Sequence, residues 1–280
     1  METGFIPSTR LQTGLPPLFS LSLVQYAPPS AIIQLVTANN VLFLASHPLT
    51  VIIIDLNKPD DLITVDLPRP APEKDKNQSQ AVVPVISKLF VDPTARHLLI
   101  TTNTGDTFYL PISPGNSAVQ SRRPRPLRIR QTVLAVGWSP ISGPSAPSQD
   151  GTTQQGGKGD AITPPPTDVL LGTANGQILS LPLPPQDDIF KSVAIGSKSL
   201  EKDLQHVYTL PENEPVGGLA FGFWPGKAKK EKRAWVVITT KARVYEVQGD
   251  VVSTSAGGKT GGWAEEVFKP LRDGAPSESP

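Results

Sequence analysis

Residues 168–183 read DVLLGTANGQILSLPL: an apolar run, a small polar turn at Asn175-Gly176, then a second run with apolar residues on alternate positions. A half-buried strand shows one face every second residue, so this stretch is a β-hairpin unit. The same sixteen-residue pattern returns without a gap at 41–56 (VLFLASHPLTVIIIDL), 97–112 (HLLITTNTGDTFYLPI) and 234–249 (AWVVITTKARVYEVQG). The starting positions are 56, 71 and 66 residues apart. A supersecondary unit repeated at a few tens of residues predicts an array whose members bury their faces against one another.

Each hairpin follows another apolar segment: AIIQLV (31–36), VVPVISKLFV (82–91), VLAVGW (133–138) and VGGLAFGFW (216–224). Three of these stop at a proline, which cannot donate to a sheet ladder and suits a strand end. A shorter apolar piece trails the first three hairpins, at 62–67, 127–129 and 207–210. Three to four short strands per unit describe a propeller blade. The fold class expected is therefore all-β, a β-propeller with about four blades, near 30–67, 82–130, 133–210 and 216–269. An N-terminal extension (1–29) and a disordered tail (270–280) flank the propeller region at 30–269. A β-sandwich competes, but it would not explain matching hairpins at near-regular steps.

Two polar inserts account for the uneven spacing. Residues 141–166 carry almost nothing to bury and read as a long disordered loop. With those 26 residues set aside, the 71-residue step becomes 45, near the roughly 40–45 residues of a common blade. The second insert is GKAKKEKR (226–233). Both fall between the first and second strands of a unit, so they are expected on one face of the domain. Asn103-Thr104-Gly105 and Asn175-Gly176 put residues tolerant of positive φ at the hairpin reversals. Leu49 and Ala242 replace glycine in the first and fourth units, so those turns should differ.

Composition narrows the function classes. The 280 residues include 31 prolines and 23 glycines, with 18% charged, favouring turn-rich β structure. A net charge of +1 sets up no global field for nucleic acid or an anionic membrane. Without cysteine, disulfides, thiolate catalysis and cysteine-ligated metal sites are excluded within these residues. The first residues lack the basic-then-apolar order of a secretory signal, and no apolar run approaches the roughly 18 residues of a membrane span. A cytoplasmic protein is expected, and Asn77-Gln78-Ser79 is then an idle glycosylation match.

No motif points to catalysis, a cofactor or a metal. Gly257-Gly258-Lys259-Thr260 resembles the end of a phosphate-binding loop, but Ser253 stands where that pattern needs glycine. Gly261-Gly262-Trp263 follows where a helix should begin, so a flexible linker is expected there. His47, His97 and His206 fall in three separate units, and no GxSxG segment occurs. Asp60-Asp61 and Asp187-Asp188 read as turn residues. Two basic clusters remain as lipid or partner contacts: Arg122, Arg123, Arg125, Arg128 and Arg130, and Lys227, Lys229, Lys230, Lys232 and Arg233. Either suits phosphate on a lipid headgroup; a solvated loop is the plainer reading. No aromatics interleave with the arginines, which weighs against single-stranded nucleic acid. Trp138 and Trp224 end the first strands of successive units, where packing between neighbouring blades accounts for them.

The segments AIIQLVTANNVLFLA (31–45), KLFVDPTARHLLITT (88–102), VLAVGWSP (133–140), DVLLGTANGQILSL (168–181) and WVVITTKARVYEVQG (235–249) resemble the amino-terminal portion of the Pep-three/Vps-eighteen/deep orange family. That resemblance implies a subunit shared by HOPS and CORVET tethering complexes, which join vesicles to late endosomes and vacuoles before SNARE-driven fusion. Its implied partners are other class C subunits and, indirectly, SNAREs and Rab-type GTPases, at a peripheral position on late endosome or vacuole membrane. Family members continue into an α-solenoid and a cysteine-rich RING-like module. Neither is present in these residues, so no zinc binding or ligase activity carries over. Family propellers are usually seven-bladed; with about four units read here, the chain looks like part of a longer protein. The function expected is a non-enzymatic scaffold, with direct binding of acidic lipid or phosphoinositide as the alternative.

Overall fold

In this computed structural model the described residues are 26–60, 62–69, 83–112, 124–139, 168–183, 204–225, 232–251 and 262–272. The repeat folds into four antiparallel sheets in chain order. The first holds β1 (Ile32–Ala38), β2 (Val41–Ser46), β3 (Thr50–Asp55) and β4 (Leu62–Asp66). The second holds β5 (Ile86–Val91), β6 (His97–Thr102), β7 (Thr107–Pro111) and β8 (Arg125–Leu127). The third holds β9 (Val133–Trp138), β10 (Asp168–Thr173), β11 (Gln177–Pro182) and β12 (Gln205–Thr209). The fourth holds β13 (Gly218–Pro225), β14 (Lys232–Thr239) and β15 (Val244–Val251). The four hairpins read from the repeat are β2–β3, β6–β7, β10–β11 and β14–β15. Gly105 (φ +88°) and Gly176 (φ +72°) turn the second and third, in a left-handed conformation that glycine adopts freely.

Every residue of β6 and of β10 is buried, so these strands are covered on both faces. A sheet covers its own strands only at the edges, so the cover must come from neighbouring sheets. Val51, Ile53, Leu98 and Ile100 join the first sheet to the second in one apolar cluster. Leu99 and Tyr109 meet Val169 and Leu171 between the second and third. Leu170 and Ile178 meet Phe221 and Val236 between the third and fourth. Among the described residues no such cluster holds side chains of both the first and the fourth sheet. The arrangement is a run of wedges stacked in sequence, a partial propeller.

The first strands of the sheets are tied to one another by polar atoms. The Gln34 side chain on β1 accepts from Leu89 N (2.7 Å) and donates to Leu89 O (3.4 Å), so one amide stands in for a strand partner. Lys88 on β5 donates through Nζ to Leu134 O on β9 (3.1 Å). A Cβ at Gly137 on β9 would lie 3.0 Å from Leu219 O on β13. A closer limit occurs at Gly172, where a Cβ would meet Val216 Cγ1 at 2.3 Å. Asn39, with φ +43°, donates through its side chain to Thr94 O on the second sheet (3.2 Å).

Wedges that touch at their first strands splay apart farther out, and a helix occupies the splay between the third and fourth sheets. In α1 (Gly262–Arg272) the residues Trp263, Ala264, Val267 and Phe268 form one buried stripe. Trp263 stacks on Phe221 with centroids 5.0 Å apart and meets Phe223 edge-on. Phe268 stacks on Tyr208 of β12, and a Cβ at Gly249 would lie 3.1 Å from Val267 Cα. This corrects the linker expected around Gly262-Trp263: a helix does begin there, and its buried residues serve packing. Gly257 to Thr260 lie outside the described residues.

Trp138 stacks against His97 of the second sheet, as inter-blade packing requires. Trp224 does not follow it. Leu219, Phe221 and Phe223 pack toward the third sheet, so Trp224, one residue on, takes the opposite face with Ala220 and Gly222.

A buried polar corner joins the second and third sheets. The Asp92 carboxylate accepts from the backbone N–H groups of Thr94, Arg96 and His97, which closes the turn before β6. His97 hydrogen-bonds through Nδ1 with the Tyr109 hydroxyl (2.8 Å), and its Nε2 has no hydrogen-bond partner among the described residues. Burial lowers the pKa of His97 to about 4, with Asp92 pulling the other way and Arg96 adding to the fall. The imidazole is therefore neutral at physiological pH.

Two outcomes follow for stability. Gly172→Ala should cost about 1–3 kcal/mol by overpacking against Val216, read as a lowered denaturant midpoint, and adding Val216→Ala should recover part of the loss. The unfolded His97 binds a proton below its ordinary value of 6.5, whereas the folded one stays neutral down to about 4. That stability is present above pH 6.5 and is lost as pH falls toward 4, by at most about 3 kcal/mol. Thermal unfolding of wild type and His97→Gln across that window should give a steeper acid decline for wild type.

Candidate functional site

Alternation governs the first basic cluster. Along RPLRIR (125–130), Leu127 and Ile129 are buried in the core between the second and third sheets, and Arg125, Arg128 and Arg130 are exposed. Arg125 lies on β8, opposite Tyr109 of β7. The apolar members anchor the segment, and the three arginines between and beside them are exposed to solvent. Arg122 and Arg123 lie outside the described residues, as do Lys227, Lys229 and Lys230.

In the second cluster, Lys232 and Arg233 open β14, opposite Val251 and Asp250 of β15. Arg233 Nε stands 2.8 Å from Asp250 Oδ1, a charge contact without the alignment of a hydrogen bond. The positive charge of Arg233 is thus met inside its own sheet. The described members of the two clusters sit on or beside the second and fourth sheets, with the third packed between, and they form no single patch.

The histidines stay apart. His47 is exposed beside the first hairpin turn, His97 is buried in the second sheet, and His206 on β12 bonds to Thr209 Oγ1 (2.8 Å). Among the described residues no group of three or more His, Asp or Glu side chains is placed to hold a metal ion. No helix among them is long and apolar enough to cross a membrane.

The outward faces of the two terminal sheets differ in chemistry. On the first, Leu44, Ile52 and Ile54 form a small apolar cluster with Tyr26 and Leu42, and Leu35 is 56% exposed. On the fourth, Trp224, Trp235 and Val237 share the face with Glu246, Gln248 and Asp250. The Trp235 ring lies over Gly222, where a Cβ would meet its Nε1 at 2.5 Å. What the described residues offer is an apolar outward face on the first sheet and a mixed aromatic and acidic one on the fourth.

Comparison with known proteins agrees with this architecture. Residues 17–278 match the family model described as the Pep3/Vps18/deep orange beta-propeller domain. The Vacuolar protein sorting-associated protein 18 homolog of Danio rerio is 29% identical over 142 residues, covering 51% of this chain and 13% of that protein. The match therefore spans a small part of the curated relative. Among solved structures, the β-propeller domain of Myceliophteria thermophila Cps50 (Swd1) is similar with a TM-score of 0.42 and 11% identity, over 77% of this chain and 52% of the other. The computationally designed Ika8 protein gives 0.40 and 13%, over 78% and 45%. With its four hairpin sheets and a family match running through nearly the whole sequence, the chain belongs to the Pep3/Vps18/deep orange β-propeller family.

Proposed function

We propose that this chain is the propeller portion of a non-enzymatic scaffold subunit in vacuolar protein sorting, acting within a HOPS/CORVET-type tethering complex during endosome-to-vacuole docking and fusion. The observation that carries this reading is the family match over residues 17–278. The stacked sheets support it physically, because a rigid array with buried hairpins presents broad surfaces without any moving chemistry. Its partners in this reading are the other class C subunits and, through them, SNAREs and Rab-type GTPases. The protein works from the cytoplasm, peripherally on the late endosome or vacuole.

Affinity-tagged protein expressed in its own cells should co-purify the remaining class C subunits. Its deletion should leave unfused vesicles at the vacuole. Recovery of the tagged protein without any tethering subunit, together with normal vacuoles in the deletion strain, would sink the reading.

A second reading rests on Arg125, Arg128 and Arg130. Exposed cations attract an anionic leaflet at roughly 1 kcal/mol each near the surface. Flotation with phosphoinositide-containing liposomes at low salt should then bring the protein up. Changing Arg122, Arg123, Arg125, Arg128 and Arg130 to Ser should cut the floated fraction at least tenfold. No flotation of wild type at low salt rules out direct lipid contact.

A further inference from the structure

The fourth sheet is one strand short of its sisters. In the first three, the third strand pairs outward with a fourth: β3 with β4, β7 with β8 and β11 with β12. β15 pairs only with β14 among the described residues. The sequence carries the same irregularity, since a trailing apolar piece follows the first three hairpins and not the last. We propose that the outer edge of β15 takes up an extended, basic segment of a partner polypeptide as the missing fourth strand.

Register shows which atoms that segment would meet. Thr240 N donates to Arg243 O (2.9 Å), so residues 240 and 243 form the hydrogen-bonded pair that closes the hairpin. Pairs alternate in an antiparallel ladder. Residues 245, 247, 249 and 251 therefore bond to β14, and Val244, Glu246, Gln248 and Asp250 point their N–H and C=O groups away from it. None of those four residues has a backbone hydrogen bond elsewhere among the described residues.

The edge is long for an open one. β15 has eight residues, whereas the outermost strands β4, β8 and β12 have five, three and five. Natural sheets blunt open edges by keeping them short, and eight residues with free amides are a template for strand addition. The helix holds β15 from one face through Gly249 and Val267, while Val244 is 71% exposed and Glu246, Gln248 and Asp250 are exposed along the strand.

Charge selects the partner. β15 presents Glu246 and Asp250, and the helix packed on it presents exposed Glu265 and Glu266. Arg233, paired with Asp250, is the cation on the face of Glu246 and Asp250; the exposed Lys269 is on the helix at the opposite face, and at the hairpin end stand exposed Lys241 and Arg243, the latter paired with Glu212 and Glu214. The balance is acidic. Lysine or arginine on alternate positions of an incoming strand complements it, because cross-strand neighbours of opposite charge are favourable. This inference stands whatever the chain's place in vesicle tethering.

The probe is the labelled peptide KVKVKVK, with EVEVEVE as control, titrated against the full chain by fluorescence anisotropy. KVKVKVK is expected to bind at least tenfold more tightly, and binding should slow hydrogen exchange at the amides of 244, 246, 248 and 250. Proline at 248 removes an outward N–H and no bond to β14. Gln248→Pro is therefore expected to keep the thermal midpoint within a few degrees and to weaken KVKVKVK at least tenfold, while Val247→Pro should destabilise the fold. Should Gln248→Pro fail to fold, Glu246→Lys serves instead, and it should weaken KVKVKVK severalfold with the midpoint unchanged. Equal affinity for both peptides, or unaltered exchange at those four amides, overturns the proposal. So does a wild-type dimer that becomes monomeric in Gln248→Pro, since that would assign the edge to a second copy of the chain.

Discussion

The first three sheets each have a central hairpin too apolar to face water on either side, and that requirement shapes the rest of the molecule. A lone sheet satisfies its backbone but leaves both faces wet. At roughly 25 cal/mol per Å² of apolar surface, covering those faces outweighs any single polar contact in the structure. Stacking successive sheets face to face is the solution taken, and it fixes close approach at the first strands. There the tolerances are narrow: Gly172 and Gly137 leave no room for a side chain, and Gln34 and Lys88 reach across to backbone atoms of the next sheet. The helix at the rim is the complement of the same geometry, filling volume that diverging sheets cannot.

Much of this architecture was legible in sequence because the hairpins obey a period of two and repeat it four times. Strand boundaries came within a few residues at every unit, and the glycines at 105 and 176 marked the turns. Two things escaped. The helix at 262–272 has its apolar residues packed into one short stripe, Trp263-Ala264 and Val267-Phe268, flanked by glycine on one side and interrupted by Pro270. That stripe has meaning only against the gap it fills, which local pattern does not encode. Trp224 resembles Trp138 in its neighbouring proline, but it falls one residue past the inward-facing Phe223 and so takes the opposite face. The alternation of the exposed Arg125, Arg128 and Arg130 with the buried Leu127 and Ile129 is, by contrast, visible in the sequence itself.

Function was legible to a lesser degree, for a physical reason. Catalytic and metal sites need particular residue types at particular distances, and such constellations leave marks in sequence. A binding scaffold works through shape, edges and charge spread over many positions. Specific words such as HLLITT and LLGTANG carried the family, while the surfaces that meet partners emerged only once register and strand parity were known. The acidic edge of β15 is the clearest case: its outward amides follow from which residues bond to β14, and that depends on the closing pair at Thr240 and Arg243.

One further consequence lies in how the segment after β9 is fastened. Ser139 N donates to Asp168 O at 3.0 Å, so the chain leaves and re-enters the third sheet through adjoining backbone atoms. Closing a loop onto a fixed pair of ends has an entropy that grows only with the logarithm of its length, about 0.6 kcal/mol per doubling. The register of β9 on β10 is thereby set by the ladder itself, and the length of what connects the two strands enters only as a small, slowly varying term beside it.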